Sequence, residues 1–225
     1  FYLRKGVKFH NGEDLTADDV IFSFERATSA ESNIRPRFAP KLKAEKVDAH
    51  TVDFVLAVPN PILHAEWDSW FIMSKSWAEA NGATKVLTKS NQLSPFALKA
   101  NGTGPFMVEN HEPGVRTTFK PNPNWWGKPE HNLTNVVFQT IKSDATRVAA
   151  LLSGEVDMID PVPVQDIPRV KASAGTDVMT GPELRTIFLN MDQVRDELLY
   201  SDVKGKNPFK DARVRKAFYM AIDID

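Results

Sequence analysis

Apolar positions along the chain follow two periods. At the 3.6-residue period of a helix, Val20, Ile21, Phe24 and Ala27 fall on one face. They follow Thr16-Ala17-Asp18-Asp19, where a hydroxyl and two acids suit the positive end of a helix. The same reading predicts a helix from Ser143-Asp144 with Val148, Leu151 and Leu152 inward and Gly154 as its stop. Further helices are predicted over residues 164–172 and from Asp211, the latter with Val214, Ala217, Phe218 and Ala221 inward. Short apolar runs predict strands at residues 2–10, 43–47, 51–58, 106–110, 115–120, 136–141, 156–159, 177–180 and 185–191. Asn11-Gly12, Asp48-Ala49-His50 and Glu112-Pro113-Gly114 supply turns between them. Strands alternating with helices argue for an α/β arrangement.

Several stretches break both periods. Pro36 and Pro40 mark a loop, and residues 62–81 carry Trp67, Trp70 and Trp77 in short, interrupted helical pieces closed by Gly82. Residues 85–100 are polar and aperiodic, as in an exposed connection. Gly102-Thr103-Gly104-Pro105 is the sharpest discontinuity, and it predicts a boundary between a subdomain at 1–103 and an α/β region at 104–225. Gly102 and Gly104 are expected there in backbone conformations closed to other residues. The chain opens on Phe1 without Met or a targeting segment and closes on Asp225 inside a predicted helix, so it reads as a fragment.

Composition narrows the function. With 42% hydrophobic and 25% charged residues, the chain suits a folded globular protein rather than a disordered one. No run approaches the roughly 20 apolar residues needed to span a bilayer. A formal net charge of -1, from 28 basic and 29 acidic residues, gives no field to attract nucleic acid. The absence of cysteine removes disulfides, thiolate metal sites and a cysteine nucleophile. No Gly-rich phosphate loop, Gly-x-Ser-x-Gly elbow or His-Glu-x-x-His pair occurs, and the five histidines are scattered singly through turn-like segments. No cofactor or metal is implied, and acid pairs such as Asp18 with Asp19 or Glu155 with Asp157 suit helix ends and solvated faces. Trp67 and Trp70 fit either a ligand-lining wall or a subdomain core. Trp125 and Trp126, between Pro123 and Gly127, suit a structural corner.

Five ordered blocks carry a resemblance. Leu3-Arg4-Lys5-Gly6-Val7-Lys8-Phe9-His10-Asn11-Gly12 runs on into Leu15-Thr16-Ala17-Asp18-Asp19-Val20. Gly102-Thr103-Gly104-Pro105-Phe106, Asn122-Pro123-Asn124-Trp125-Trp126-Gly127 and Ser153-Gly154-Glu155-Val156-Asp157 come next, and the last block runs from Pro208 to Ala217. In content and spacing these blocks resemble the family-5 extracellular solute-binding proteins, and they span nearly the whole chain. The resemblance implies a periplasmic binding protein type II-like fold, of which this chain holds the first lobe with its extra subdomain while the second lobe is missing. It implies a periplasmic or extracellular, membrane-associated component of an ABC importer that closes on a peptide or other small solute and passes it to a membrane permease. It also implies a ligand cleft approached by Trp67, Trp70 and Phe71 and by the strand carrying Arg185 and Phe188. Some peptide binders place tyrosines on that strand, where this chain has Ile187 and Phe188. Arg185 suits a ligand carboxylate through its bidentate fork, or an acid at a strand end. A hydrolase with a carboxylate pair in the same cleft, or an interaction domain, are the alternatives, and the lack of an activating constellation counts against the first.

Overall fold

A computed structural model describes residues 1–88, 93–182 and 187–223. They fall into two compact units, Phe1–Ala149 and Ala150–Asp225. The first unit opens with an extended segment rather than the expected strand. It makes only single bridges, Tyr2 to Thr51 and Lys8 to Asp14, because Gly6 and Gly12 turn the backbone through positive φ of 74° and 91°. Helix α1, Ala17–Thr28, begins where the capping residues predicted it. There the Asp19 carboxylate accepts from the Thr16 amide at 2.8 Å and from its hydroxyl at 3.1 Å. Val20, Phe24 and Ala27 are buried and Ile21 half-buried, as the periodicity requires.

Strands β1, Lys43–Asp48, and β2, Thr51–Val55, form the predicted hairpin, antiparallel and with a bulge between Lys46 and Asp48. Asp48 shapes its turn by accepting from the His50 amide at 2.7 Å. The hairpin packs against α1, and short helices α2, Leu63–Glu66, α3, Lys75–Ala80, and α4, Pro95–Leu98, come after it. Beyond them β3, Phe106–Glu112, β4, Arg116–Pro121, and β5, Val136–Gln139, make an antiparallel sheet in the order β3-β4-β5. Helix α5, Asp144–Ser153, ends at Gly154 with φ of 76°. It buries Val148 and Ala150, with Leu151 and Leu152 half-buried.

Neither Gly102 nor Gly104 has positive φ, so the expected conformational reason for glycine fails at both. A Cβ on Gly102 would meet His10 Cε1 at an ordinary 3.6 Å, and one on Gly104 would meet open space. The backbone at Gly102 and Gly104, inside the first unit, is held from outside, by His10. Its amide donates to Gly102 O at 2.8 Å, its Nδ1 accepts from the Gly102 amide at 3.2 Å, and its Nε2 lies 3.2 Å from Gly104 O. The Nε2–H tautomer satisfies both ring nitrogens.

In the second unit a 3₁₀ turn over Val164–Asp166 leads into α6, Ile167–Ala172, with Val170 fully buried. The runs 156–159, 177–180 and 187–191 are not strands, because no partner strand pairs with them among the described residues. Arg185 and Thr186, at the start of the last predicted strand, lie outside the described residues. Helix α7, Ala212–Met220, is capped by Asp211 as predicted. Its expected inward face is not covered: Val214 is half-buried, while Ala217, Phe218 and Ala221 are exposed.

Candidate functional site

The segment after α2 gathers three of the proposed contact residues. Trp67 is only 8% exposed and joins Phe24, Ala27, Phe38 and Leu63 in one core cluster, with Trp70 packed on it. Ring centroids lie 4.8 Å apart for Phe54 and Trp67, 5.2 Å for Trp67 and Trp70, and 5.4 Å for Phe38 and Trp70. The edge-to-face angles of 63°, 77° and 87° are those aromatic quadrupoles favour. Trp70 Nε1 donates to Ser23 O at 3.4 Å, whereas the buried Trp67 Nε1 finds no acceptor among the described residues. Phe71, next in the chain, is 73% exposed.

Helix α1 braces the segment just beyond Phe71. Ser23 Oγ donates to Asp19 O at 2.7 Å and accepts from the Met73 amide at 2.8 Å, while Asp19 Oδ1 accepts from the Lys75 amide at 2.9 Å. An exposed aromatic ring therefore sits on a rigid support, which suits contact with an apolar or planar group at small entropic cost. Phe188 is 71% exposed beside the still more exposed Ile187, and both belong to the second unit. The structure thus brings Trp67, Trp70 and Phe71 together, places Phe188 in the other unit, and leaves Arg185 outside the described residues.

Sequence reasoning missed a carboxylate clasp in the first unit. Glu13 Oε2 accepts from Ser74 Oγ at 3.2 Å and from Ser76 Oγ, and Ser74, fully buried, caps α3 by accepting from the Trp77 amide at 3.1 Å. The Ser76 hydroxyl, then Asn11 and Ser74, hold Glu13 below the usual carboxylate range. Only the serine pair two residues apart at a helix start could have signalled it. In the second unit, Asp192 is held at about 2 by the Val194 and Arg195 amides and the Arg195 side chain. Asp211 is held at about 2 by the Arg213 side chain and amide. Each of these carboxylates is charged at neutral pH and locked into its own loop or cap, so none is poised as a general base. Among the described residues no cluster of three metal-ligating side chains occurs, and no helix is long and apolar enough to cross a membrane. A depression of about 450 Å³ lined by Tyr2, Leu3, Lys5 and residues 48–51 lies at the hairpin turn, and none of the tryptophans lines it.

Comparison with known proteins places the chain among solute-binding proteins. The family model of bacterial extracellular solute-binding proteins, family 5 Middle, matches residues 1–225. The dipeptide-binding protein of Escherichia coli is 29% identical over 247 residues, covering 100% of this chain and 43% of that protein. Di/tripeptide-binding protein 1 of Pseudomonas aeruginosa is 27% identical, covering 99% of this chain and 42% of its own length. The chain therefore spans less than half the length of these relatives. Among solved structures, the AgaA binding protein in complex with agropinic acid, from A. tumefaciens R10, superposes with a TM-score of 0.65 at 28% identity, covering 77% of this chain and 34% of that one. The oligopeptide-binding protein AppA of Bacillus subtilis, in complex with a nonapeptide, gives 0.64 at 26% identity with the same coverage.

Proposed function

The chain belongs to the family-5 bacterial extracellular solute-binding proteins, and from that membership we propose that it is part of the substrate-capturing component of an ABC importer. The component takes peptides or related small solutes outside the cytoplasmic membrane, closes on them by a hinge, and delivers them to a membrane permease without changing a covalent bond. The observation that carries this reading is the family match over residues 1–225, reinforced by relatives named for dipeptide and di/tripeptide binding. Residues 1–103 are assigned to an extra subdomain and 104–225 to part of the first lobe. Trp70, Phe71, Arg185 and Phe188 are assigned to solute contact, with Trp67 packed behind Trp70.

The test is direct. The gene product that carries this chain is incubated with a defined peptide mixture, desalted, denatured and analysed by mass spectrometry. Intact peptides released from the protein are the expected result. Cleaved peptides in the flow-through would instead identify a hydrolase, and no retention of any peptide would remove peptides as the solute class.

A further inference from the structure

Two Asn-x-Thr triplets occur in the chain, Asn101-Gly102-Thr103 and Asn132-Leu133-Thr134. With any residue but proline in the middle, such a triplet is the acceptor sequence for an N-linked glycan in an exported protein. The chemistry adds a structural demand. An amide nitrogen shares its lone pair with the carbonyl, so it reacts only when a transferase grips the segment around it. The nitrogen must be open to solvent, and its segment must be free of the hydrogen bonds that hold the fold.

The two triplets differ on both counts. Asn101 is 8% exposed, its Oδ1 accepts from the Asn11 amide at 3.1 Å, and its Nδ2 is excluded from solvent. Asn132, Leu133 and Thr134 are all exposed, in the connection between β4 and β5 and outside both strands. Neither the Asn132 side-chain amide nor the Thr134 hydroxyl is tied to another residue among those described. The neighbouring residue shapes the turn instead. His131 stacks on Phe106 of β3 at 4.8 Å and 20°, and its Nδ1 accepts from the Leu133 amide at 3.2 Å, which leaves Asn132 at the apex. The residue two places before the acceptor also differs, Lys99 in one triplet and the exposed Glu130 in the other. A carboxylate there offers a transferase arginine a charged, bidentate grip.

We propose that Asn132 is a glycosylation site, the acceptor for an oligosaccharide carried on a lipid diphosphate. Asn132 Nδ2 forms the new bond to the anomeric carbon, and the bond from that carbon to the diphosphate oxygen breaks. One Nδ2 proton is lost and the lipid diphosphate departs, with no oxidant or reductant needed. The proposal rests on the location outside the cytoplasmic membrane given above, and none of its residues is assigned to solute contact.

The gene product is isolated from its native cells in cytoplasmic and extracytoplasmic fractions, and its peptides are analysed by mass spectrometry. In the extracytoplasmic fraction the peptide carrying Asn132 is expected to hold an added sugar mass, and the one carrying Asn101 none. That mass should vanish in Asn132→Gln and in Thr134→Ala, persist in Thr134→Ser, and fall severalfold in Glu130→Gln. Because all three positions are exposed, the variants should keep the melting temperature of the unglycosylated protein. An extracytoplasmic protein bare at Asn132 overturns the proposal and leaves the location standing. A protein confined to the cytoplasm overturns both, and sugar at Asn101 instead of Asn132 overturns the choice made from exposure.

Discussion

Trp67 and Phe71 sit four residues apart and are expected to answer opposite questions. Trp67 is enclosed by aromatic rings, so Trp67→Ala should cost about 3 to 5 kcal/mol of stability by removing a large core side chain. Phe71 makes little use of its ring in the fold, and Phe71→Ala should leave the melting temperature near wild type. If Phe71 is a solute anchor, the same change should weaken binding by about 1 to 3 kcal/mol, read by calorimetry on the gene product. Equal loss of binding and of melting temperature in Phe71→Ala would remove it from the site. A second residue-scale expectation concerns Gly127 in the Trp125-Trp126 corner. A Cβ there would stand 2.6 Å from Cη2 and 2.7 Å from Cζ2 of Trp125, so Gly127→Ala must push the indole aside. Thermal unfolding should register a loss of about 1 to 3 kcal/mol. Gly102→Ala, by contrast, introduces only an ordinary contact and no forbidden φ, and should be tolerated.

At the scale of elements, caps give the sharpest expectations. Ser74 caps α3 and donates to Glu13 while fully buried, so Ser74→Ala should cost about 1 to 2 kcal/mol and loosen the segment after Phe71. Asp211 caps α7, and its carboxyl is lowered from 3.8 to about 2, first by the Arg213 side chain. A depressed acid stabilises the folded state above its unfolded value, and that contribution fades as pH falls from about 4 through about 2. Carboxyl-detected titration should place the Asp211 midpoint near 2, and Arg213→Gln should raise it toward the ordinary value. What the sequence disclosed at this scale reflects the range of the interactions. Helices α1, α5, α6 and α7 were legible because their bonds and caps are local. The β1-β2 and β3-β4 hairpins were legible because turn residues join their partners. The runs at 156–159 and 177–180 were misread because a strand exists only with a partner, and neither Val156 nor Val178 reveals whether one is present. Trp67 and Trp70 were visible as a cluster, but whether an indole faces core or ligand depends on Phe24, Phe38 and Phe54, brought to it from distant segments.

At the scale of the molecule, the two units differ in how much apolar surface they cover. The first closes an aromatic core around α1 and the β1-β2 hairpin. The second leaves Met179 97% exposed and Tyr200 fully so, and it also exposes Ile187, Val194, Phe218 and Met220. Apolar exposure on this scale marks surface that another surface covers. The chain spans 43% of the dipeptide-binding relative, and the two-lobed architecture implied by the resemblance places solute between lobes; on the assignment proposed above, these residues would supply one wall. Half a cleft leaves the far side of a ligand in water, and its few contacts must still offset several kcal/mol of lost translational and rotational freedom. The 225 residues expressed alone should therefore bind dipeptides more weakly than millimolar or not at all. They should also bind an apolar dye and sediment with concentration-dependent mass, because Met179, Phe218 and their neighbours lack a cover. Calorimetry with a dipeptide and sedimentation velocity check the two expectations separately. Micromolar peptide binding by the isolated residues would show that the whole site lies within them, and a monomer that ignores the dye would show that the second unit closes its own surface in solution.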